Sequence, residues 1–252
     1  MRTAVVVPTY NESDNIETLV EAIMALGTEL QIIIVDDNSP DGTGQMAEAL
    51  AKEHAAVHVL HRPTKMGLGT AYIAGFKQAF ALGAERIMTM DADFSHHPRY
   101  IPQLLAKSDT HDLVIGSRYV DGGGIRYWDM WRRVLSRTAN AFARMVLGLK
   151  AHDCTAGFRC YRRQVLESID LDQIFSDGYS FLVEMLYKCQ QRGYLIAEVP
   201  IIFEDRRRGA SKISRQEIFK AMYTVFRLRW EKSFNTPLPQ LKDSKGSSPW
   251  NT

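Results

Sequence analysis

The sequence predicts an α/β fold, a mostly parallel sheet covered by helices on both faces. Short apolar runs alternate with segments of helical spacing from the first residues to about residue 117. Those runs are apolar at consecutive positions, as in strands buried on both sides. Polar residues gather just after them, where open α/β sheets place their ligands.

The elements follow in order. Residues 4–7 form a strand closed by Pro8. Asp14 and Glu17 make a capping pair for a helix whose Ile16, Leu19, Val20 and Ile23 share a face. A second strand, 32–35, ends in the turn 36–42, rich in Asp, Asn and Gly. The next helix turns Met46, Ala47 and Leu50 inward, and residues 57–60 form a third strand. The glycine-rich loop 65–70 opens a helix carrying Ala71, Gly75 and Phe76. Residues 87–90 and 113–116 are the fourth and fifth strands. The second half is less regular. It has a flexible loop from Gly122, a helix through Phe142 and Val146, and a strand within 153–161. A helix over 181–192 and a strand over 195–203, broken by Pro200, follow. A basic loop at 206–212 then leads to a final helix.

A chain of 252 residues fits one large α/β domain with appendages. Net charge is only +2, so no nucleic-acid partner is expected. The charge is unevenly spread, with nine Lys/Arg against two Glu over 206–232. Cys154, Cys160 and Cys189 lack zinc-site spacing and read as reduced thiols of a cytosolic protein. The N-terminus leads straight into a strand, so no signal peptide is expected. No apolar run reaches the ~18 residues of a membrane span.

The stretch 87–98 is the centre of the functional reading. Its strand ends in Asp91 and Asp93, two acids one residue apart, before His96-His97-Pro98 stops it. Residues two apart on a strand point the same way, so the pair suits a hard divalent cation bridging nucleotide phosphates. Taken alone it is also the common polar turn after a strand.

Further motifs fall in one order: Val7-Pro8-Thr9-Tyr10-Asn11-Glu12, the run Asp36 to Thr43, Gly67-Leu68-Gly69-Thr70-Ala71-Tyr72, Asp91 to Pro98, and Gly116-Ser117-Arg118-Tyr119. This resembles the family 2 glycosyltransferases of GT-A fold. The narrower likeness is to polyprenol (dolichol) phosphate mannosyltransferases. It rests on Ser95-His96-His97-Pro98, on Trp128, Arg132, Ser136 and Arg137 at their spacing, on Gly157-Phe158-Arg159 with Tyr161, and on Asp205-Arg206 to Ser211-Lys212.

The resemblance implies roles. Pro8, Tyr10 and Glu12 would hold the donor nucleoside, and Val35 and Asp37 the base, with Asp36 a structural alternative to Asp37. Asp91 and Asp93 would bind Mg²⁺ or Mn²⁺ beside Ala92, with Ser95 in place of the Gln of many relatives. Arg118, Arg132 and Ser136 would hold the acceptor phosphate, since a guanidinium fork suits phosphate. Arg206 and Lys212 would close over the diphosphate. Glu184 stands where relatives with hydroxyl acceptors carry a base, and is read here as structural or sugar-contacting.

The implied reaction moves mannose from GDP-mannose to a polyprenyl or dolichyl phosphate with inversion. The implied organisation is a catalytic domain 1–213, an amphipathic helix 214–233 and a disordered tail 234–252. Relatives with a built-in anchor carry spans after the catalytic domain. Here the last helix, with the aromatic loop 127–131, is expected to lie on the cytoplasmic membrane surface, or to need an anchoring partner protein. Packing of that helix on the domain is the plainer alternative. A UDP-glucose donor keeps the same fold. A non-catalytic nucleotide-sugar-binding subunit is a further alternative, opposed by the intact acids and arginines.

Overall fold

Alternate residues of the first two strands serve two cores. Val5, Val7, Ile32 and Ile34 pack to one side, while Ala4, Val6, Ile33 and Val35 pack to the other. Strands β1 (Thr3–Thr9) and β2 (Leu30–Asp36) are thus sheathed on both faces. The computed structural model of the chain describes residues 1–204 and 215–234. Helices α1 (Ile16–Met24) and α2 (Thr43–Glu53), strand β3 (Val57–His61), helix α3 (Leu68–Ala81) and strand β4 (Arg86–Thr89) complete the alternating half. Helix α4 (Ile101–Lys107), β5 (Leu113–Ser117), β6 (Gly124–Arg126), α5 (Met130–Leu147) and β7 (Arg159–Arg162) follow. The rest is α6 (Arg163–Ser168), α7 (Tyr179–Gln191), β8 (Ile196–Pro200), β9 (Ile202–Glu204) and α8 (Arg215–Phe234).

The main sheet has seven strands in the order β3-β2-β1-β4-β7-β5-β8. All are parallel except β7, which enters antiparallel between β4 and β5. Helix α3 lies close on β1, because a Cβ on Gly75 would meet Val6 Cγ1 at 2.2 Å. The expected strand over 195–203 is two strands. Pro200 ends β8, and β9 leaves the main sheet to pair with β6, in the segment expected to be only a flexible loop.

Helix α8 is shared between the two expectations for it. Val225 and Leu228 are buried in the core, whereas Phe219, Tyr223 and Trp230 are exposed. Cys154, Cys160 and Cys189 are free and buried, and burial pushes their thiols up to about 12, 11 and 12. Among the described residues no helix is long and apolar enough to cross a membrane.

Candidate active site

The carboxyl ends of β1, β2, β4 and β5 open onto one crevice of about 600 Å³. Its wall holds Pro8, Tyr10, Glu12, Asp37, Asp91, Ala92, Arg118, Arg132 and Ser136, nine of the expected site residues. Val35 is the exception within the sheet. Its side chain is fully buried in the core and is not on the crevice wall. Arg206 and Lys212 lie outside the described residues.

Two turns hold the residues that follow β1 and β2. Asp36 accepts from Thr9 Oγ1 (3.2 Å) and from Ser39 Oγ (2.6 Å), a structural carboxylate. Asp41 binds the Thr43 hydroxyl and the Ser13 amide, while the Glu12 amide donates to Thr43 Oγ1. Burial would raise the Asp41 pKa, but these hydrogen bonds outweigh it and hold it at about 2. Asp37 stands next to this frame. Its Oδ1 accepts from Arg62 Nε (2.5 Å) and its Oδ2 from the Met66 amide (3.2 Å). Arg62 also reaches Thr70 Oγ1 (2.7 Å) and the Gly67 carbonyl (3.0 Å), tying Asp37 to the glycine-rich loop. The Lys65 ammonium sits 4.0 Å from the centre of the Tyr10 ring.

At the acidic pair, Asp91 is on the crevice wall and Asp93 is not among the wall residues. Ser95 donates both its amide (3.0 Å) and its hydroxyl (2.5 Å) to Asp93 Oδ1, across a turn made by Phe94 at φ 61°. The Ser95 hydroxyl is therefore committed to Asp93. Tyr72 donates to Asp91 Oδ1 at 3.3 Å. Burial first, then the charge of Asp91, raises the Tyr72 pKa well above its ordinary value, so it stays a donor. His96, 2% exposed, accepts the Asp91 amide on Nδ1 at 3.1 Å. His96 Nδ1 also lies 3.6 Å from Asp91 Oδ2. His97 Nδ1 likewise accepts the Arg99 amide (3.2 Å). Both histidines thus serve the turn. Among the described residues no group of three or more His, Cys, Asp or Glu could hold a metal. Two carboxylates suit a hard cation that draws its other ligands from a diphosphate and water.

Asp129 caps α5 by accepting the Arg132 amide at 2.6 Å. This sets Arg132 and Ser136 one turn apart on the wall. Ser136 Oγ accepts from the Tyr119 hydroxyl (2.7 Å), and the Arg132 guanidinium lies 4.2 Å from the centre of the Trp128 ring. Arg118 is on the crevice wall and is also paired within the protein. Its fork, Nε and Nη2, is spent on Asp153 (2.7 Å each), and Nη2 also reaches Thr155 Oγ1 (2.8 Å). The reason is burial: Arg118 is 8% exposed and Asp153 is 0% exposed, and a buried cation needs an anion. Burial alone would raise the Asp153 pKa, but the Arg118 charge and hydrogen bonds outweigh it and hold it low. Among the described residues, the hydrogen bonds of the Arg118 side chain are made by Nε and Nη2 and not by Nη1. Sequence reading missed Asp153, whose partner is 35 residues away.

Glu184 does not line the crevice. It is fully buried, accepts the Ser176 amide (3.1 Å) and hydroxyl, and lies 3.3 Å from Lys188 Nζ. The same crevice has an apolar part of its wall from α5, α7 and α8, which includes Leu135, Ala139, Phe142, Val183, Met222 and Val225.

The crevice thus lies at the carboxyl edge of a mostly parallel sheet, with Asp91, Arg118 and Arg132 on its wall. Residues 4–170 match Glycosyl transferase family 2, and the chain belongs to that family. It is a glycosyltransferase, and its sheet and helices are those of the GT-A fold. It is 46% identical over 226 residues to the polyprenol monophosphomannose synthase of Mycolicibacterium smegmatis, covering 89% of this chain and 85% of that one. To the undecaprenyl-phosphate mannosyltransferase of Micrococcus luteus it is 44% identical over 235 residues, covering 92% and 97%. Glucosyl-3-phosphoglycerate synthase from Mycobacterium tuberculosis shares the fold, with a TM-score of 0.67 at 21% identity, covering 91% of this chain and 80% of that one.

Proposed function

We propose that this glycosyltransferase moves mannose from GDP-mannose to the phosphate of a polyprenyl or dolichyl lipid, giving polyprenyl-phosphate β-mannose. The observation that carries the acceptor is the apolar slot in the wall: the crevice lined by Arg132 and Ser136 is also lined by apolar residues of α5, α7 and α8, which suits a phosphate with a long hydrocarbon tail. The relatives' names support both mannose and a polyprenyl phosphate.

In this reading Tyr10, Glu12 and Asp37 hold the nucleoside, and Asp91 and Asp93 hold Mg²⁺ or Mn²⁺. The M. tuberculosis enzyme of the same fold has been solved with Mn²⁺ and UDP. The cation would neutralise charge on the departing diphosphate. Arg132, Ser136 and the Nη1 edge of Arg118 place an acceptor oxygen in line behind the anomeric carbon. The new O–C bond forms as the bond to the diphosphate breaks, and the nucleoside diphosphate leaves. The acceptor needs no strong base, because a phosphate monoester has its second pKa at about 6. Glu184 is accordingly a structural residue. Arg206 and Lys212 keep the role of charge partners for the diphosphate.

The test is transfer of labelled mannose from GDP-mannose to undecaprenyl phosphate, with and without Mn²⁺, with UDP-glucose in parallel. Metal-dependent mannolipid is expected. Ala139→Trp, which plugs the slot, should lower kcat/KM for the lipid about tenfold while leaving GDP binding unchanged. Product from UDP-glucose alone would replace the donor, and no glycolipid from either donor would end the reading.

The same reading places the protein at the cytoplasmic face of a membrane. Exposed Tyr127, Met130 and Trp131 at the start of α5, with Phe219, Tyr223 and Trp230 on α8, form apolar faces accompanied by Lys220 and Arg229. Binding to phosphatidylglycerol vesicles at low salt is expected, and Trp131→Asp with Trp230→Asp should abolish it. Failure of the unaltered chain to sediment with such vesicles would transfer anchoring to a partner protein.

A further inference from the structure

Between the last 3-10 turn and α7, three consecutive side chains grip three different elements. The Phe175 ring lies under the Arg227 guanidinium of α8, 3.8 Å from its centre. Ser176 is bound by Glu184 of α7 through its amide and hydroxyl. Asp177 reaches the glycine-rich loop, 108 residues earlier in the chain, where its Oδ1 accepts the Gly69 amide at 2.9 Å. Gly67 packs so closely on this carboxylate that a Cβ there would meet Asp177 Oδ2 at 2.2 Å. From the other side Arg62 holds the same loop and, with it, Asp37. Asp37, the loop and Asp177 are thus one hydrogen-bonded chain.

The position of the carboxylate has a chemical consequence. Gly69 is the second residue of α3, and its amide is one of the donors that an incoming phosphate would seek at a helix start. Asp177 already occupies that donor, so this amide is not open to a diphosphate. The loop's wall residues Lys65, Gly67 and Leu68 border the space next to Tyr10 and Asp37. We propose that Asp177 is a positioning residue for the donor nucleotide, a strap that fixes the glycine-rich loop against the base and ribose from the acceptor side of the crevice. This rests on the donor reading given above.

The test uses the full chain with Asp177→Ala, and Asp177→Asn as the conservative variant, because Asn keeps an oxygen to accept the Gly69 amide. Asp177 is exposed and supplies one helix-start hydrogen bond, so the melting point should fall by only a few degrees in Asp177→Ala and stay close to the unaltered chain in Asp177→Asn. Hydrogen exchange over residues 66–70 should quicken about tenfold in Asp177→Ala. Kd for GDP and for UDP, measured by calorimetry with Mn²⁺, should weaken about tenfold, with KM for the lipid acceptor unmoved. Asp177→Asn should recover most of both. Unchanged exchange at Gly69, or full nucleotide affinity despite faster exchange, would overturn the proposal. Absence of GDP and UDP binding in the unaltered chain would overturn the donor reading instead, and the strap would stand or fall on the exchange at Gly69.

Discussion

Asp91→Ala is expected to lower transfer by at least about a thousandfold, the scale on which charge stabilisation of a leaving group is lost. Asp91 is the acid of the pair that faces the crevice, with its carboxylate steadied by Tyr72 and its backbone by His96. Its side chain is 34% exposed, so the substitution opens no core cavity and the fold should persist. Asp91→Asn keeps an acceptor for Tyr72 but loses the charge, and should be nearly as inactive. The informative pairing is turnover with Mn²⁺ binding followed by electron paramagnetic resonance in the presence of GDP. Both should vanish together while metal-free GDP binding survives. Ordinary turnover in Asp91→Ala would remove the cation from this strand end.

The second large effect is on stability. Asp153→Ala removes the anion from a pair that is buried on both sides and leaves Arg118 a cation with no carboxylate, at a cost of about 3–5 kcal/mol. For a chain of this size that corresponds to a fall in melting temperature of roughly 10 °C. The pH dependence follows from the depressed pKa of Asp153. A carboxylate whose folded pKa lies below its unfolded value stabilises fully above the unfolded value, about 4, and progressively less as pH falls through the folded one. The gap between the unaltered chain and Asp153→Ala should therefore be full at pH 7 and shrink below about pH 4. Calorimetric melts at pH 7 and pH 3 would read it. A melting point within 2 °C of the unaltered chain at pH 7 would mean that Arg118 finds another partner.

What the sequence disclosed was local. Tyr10, Asp37, Asp91 and Arg118 each follow an apolar strand directly, and the parallel-sheet rule then collects them at one edge. Asp36 as a turn carboxylate was legible for the same reason. What escaped depends on partners far apart in the chain. No spacing announces that Asp153 would take the fork of Arg118, or that Asp177 would cap α3. Arg159 belongs to this class too. It is fully buried and held by the carbonyls of Cys154, Ala156 and Leu182, so a residue read within a family motif is a structural pin. Val35 was legible as a strand residue but not by its face, which the structure turns into the core.

The antiparallel β7 sets a schedule for the chain as it is made. Strand β4 ends at residue 89, and its neighbour β7 begins at residue 159. A ribosome adding roughly 5–20 residues per second would leave the Arg86–Thr89 backbone unpaired on that side for several seconds. In that interval the nascent protein carries an open, apolar strand beside a half-built sheet, a template for pairing with other nascent chains. Crowded polysomes, high temperature and slow codons between residues 90 and 158 are where its yield would be decided, well before any question of catalysis arises.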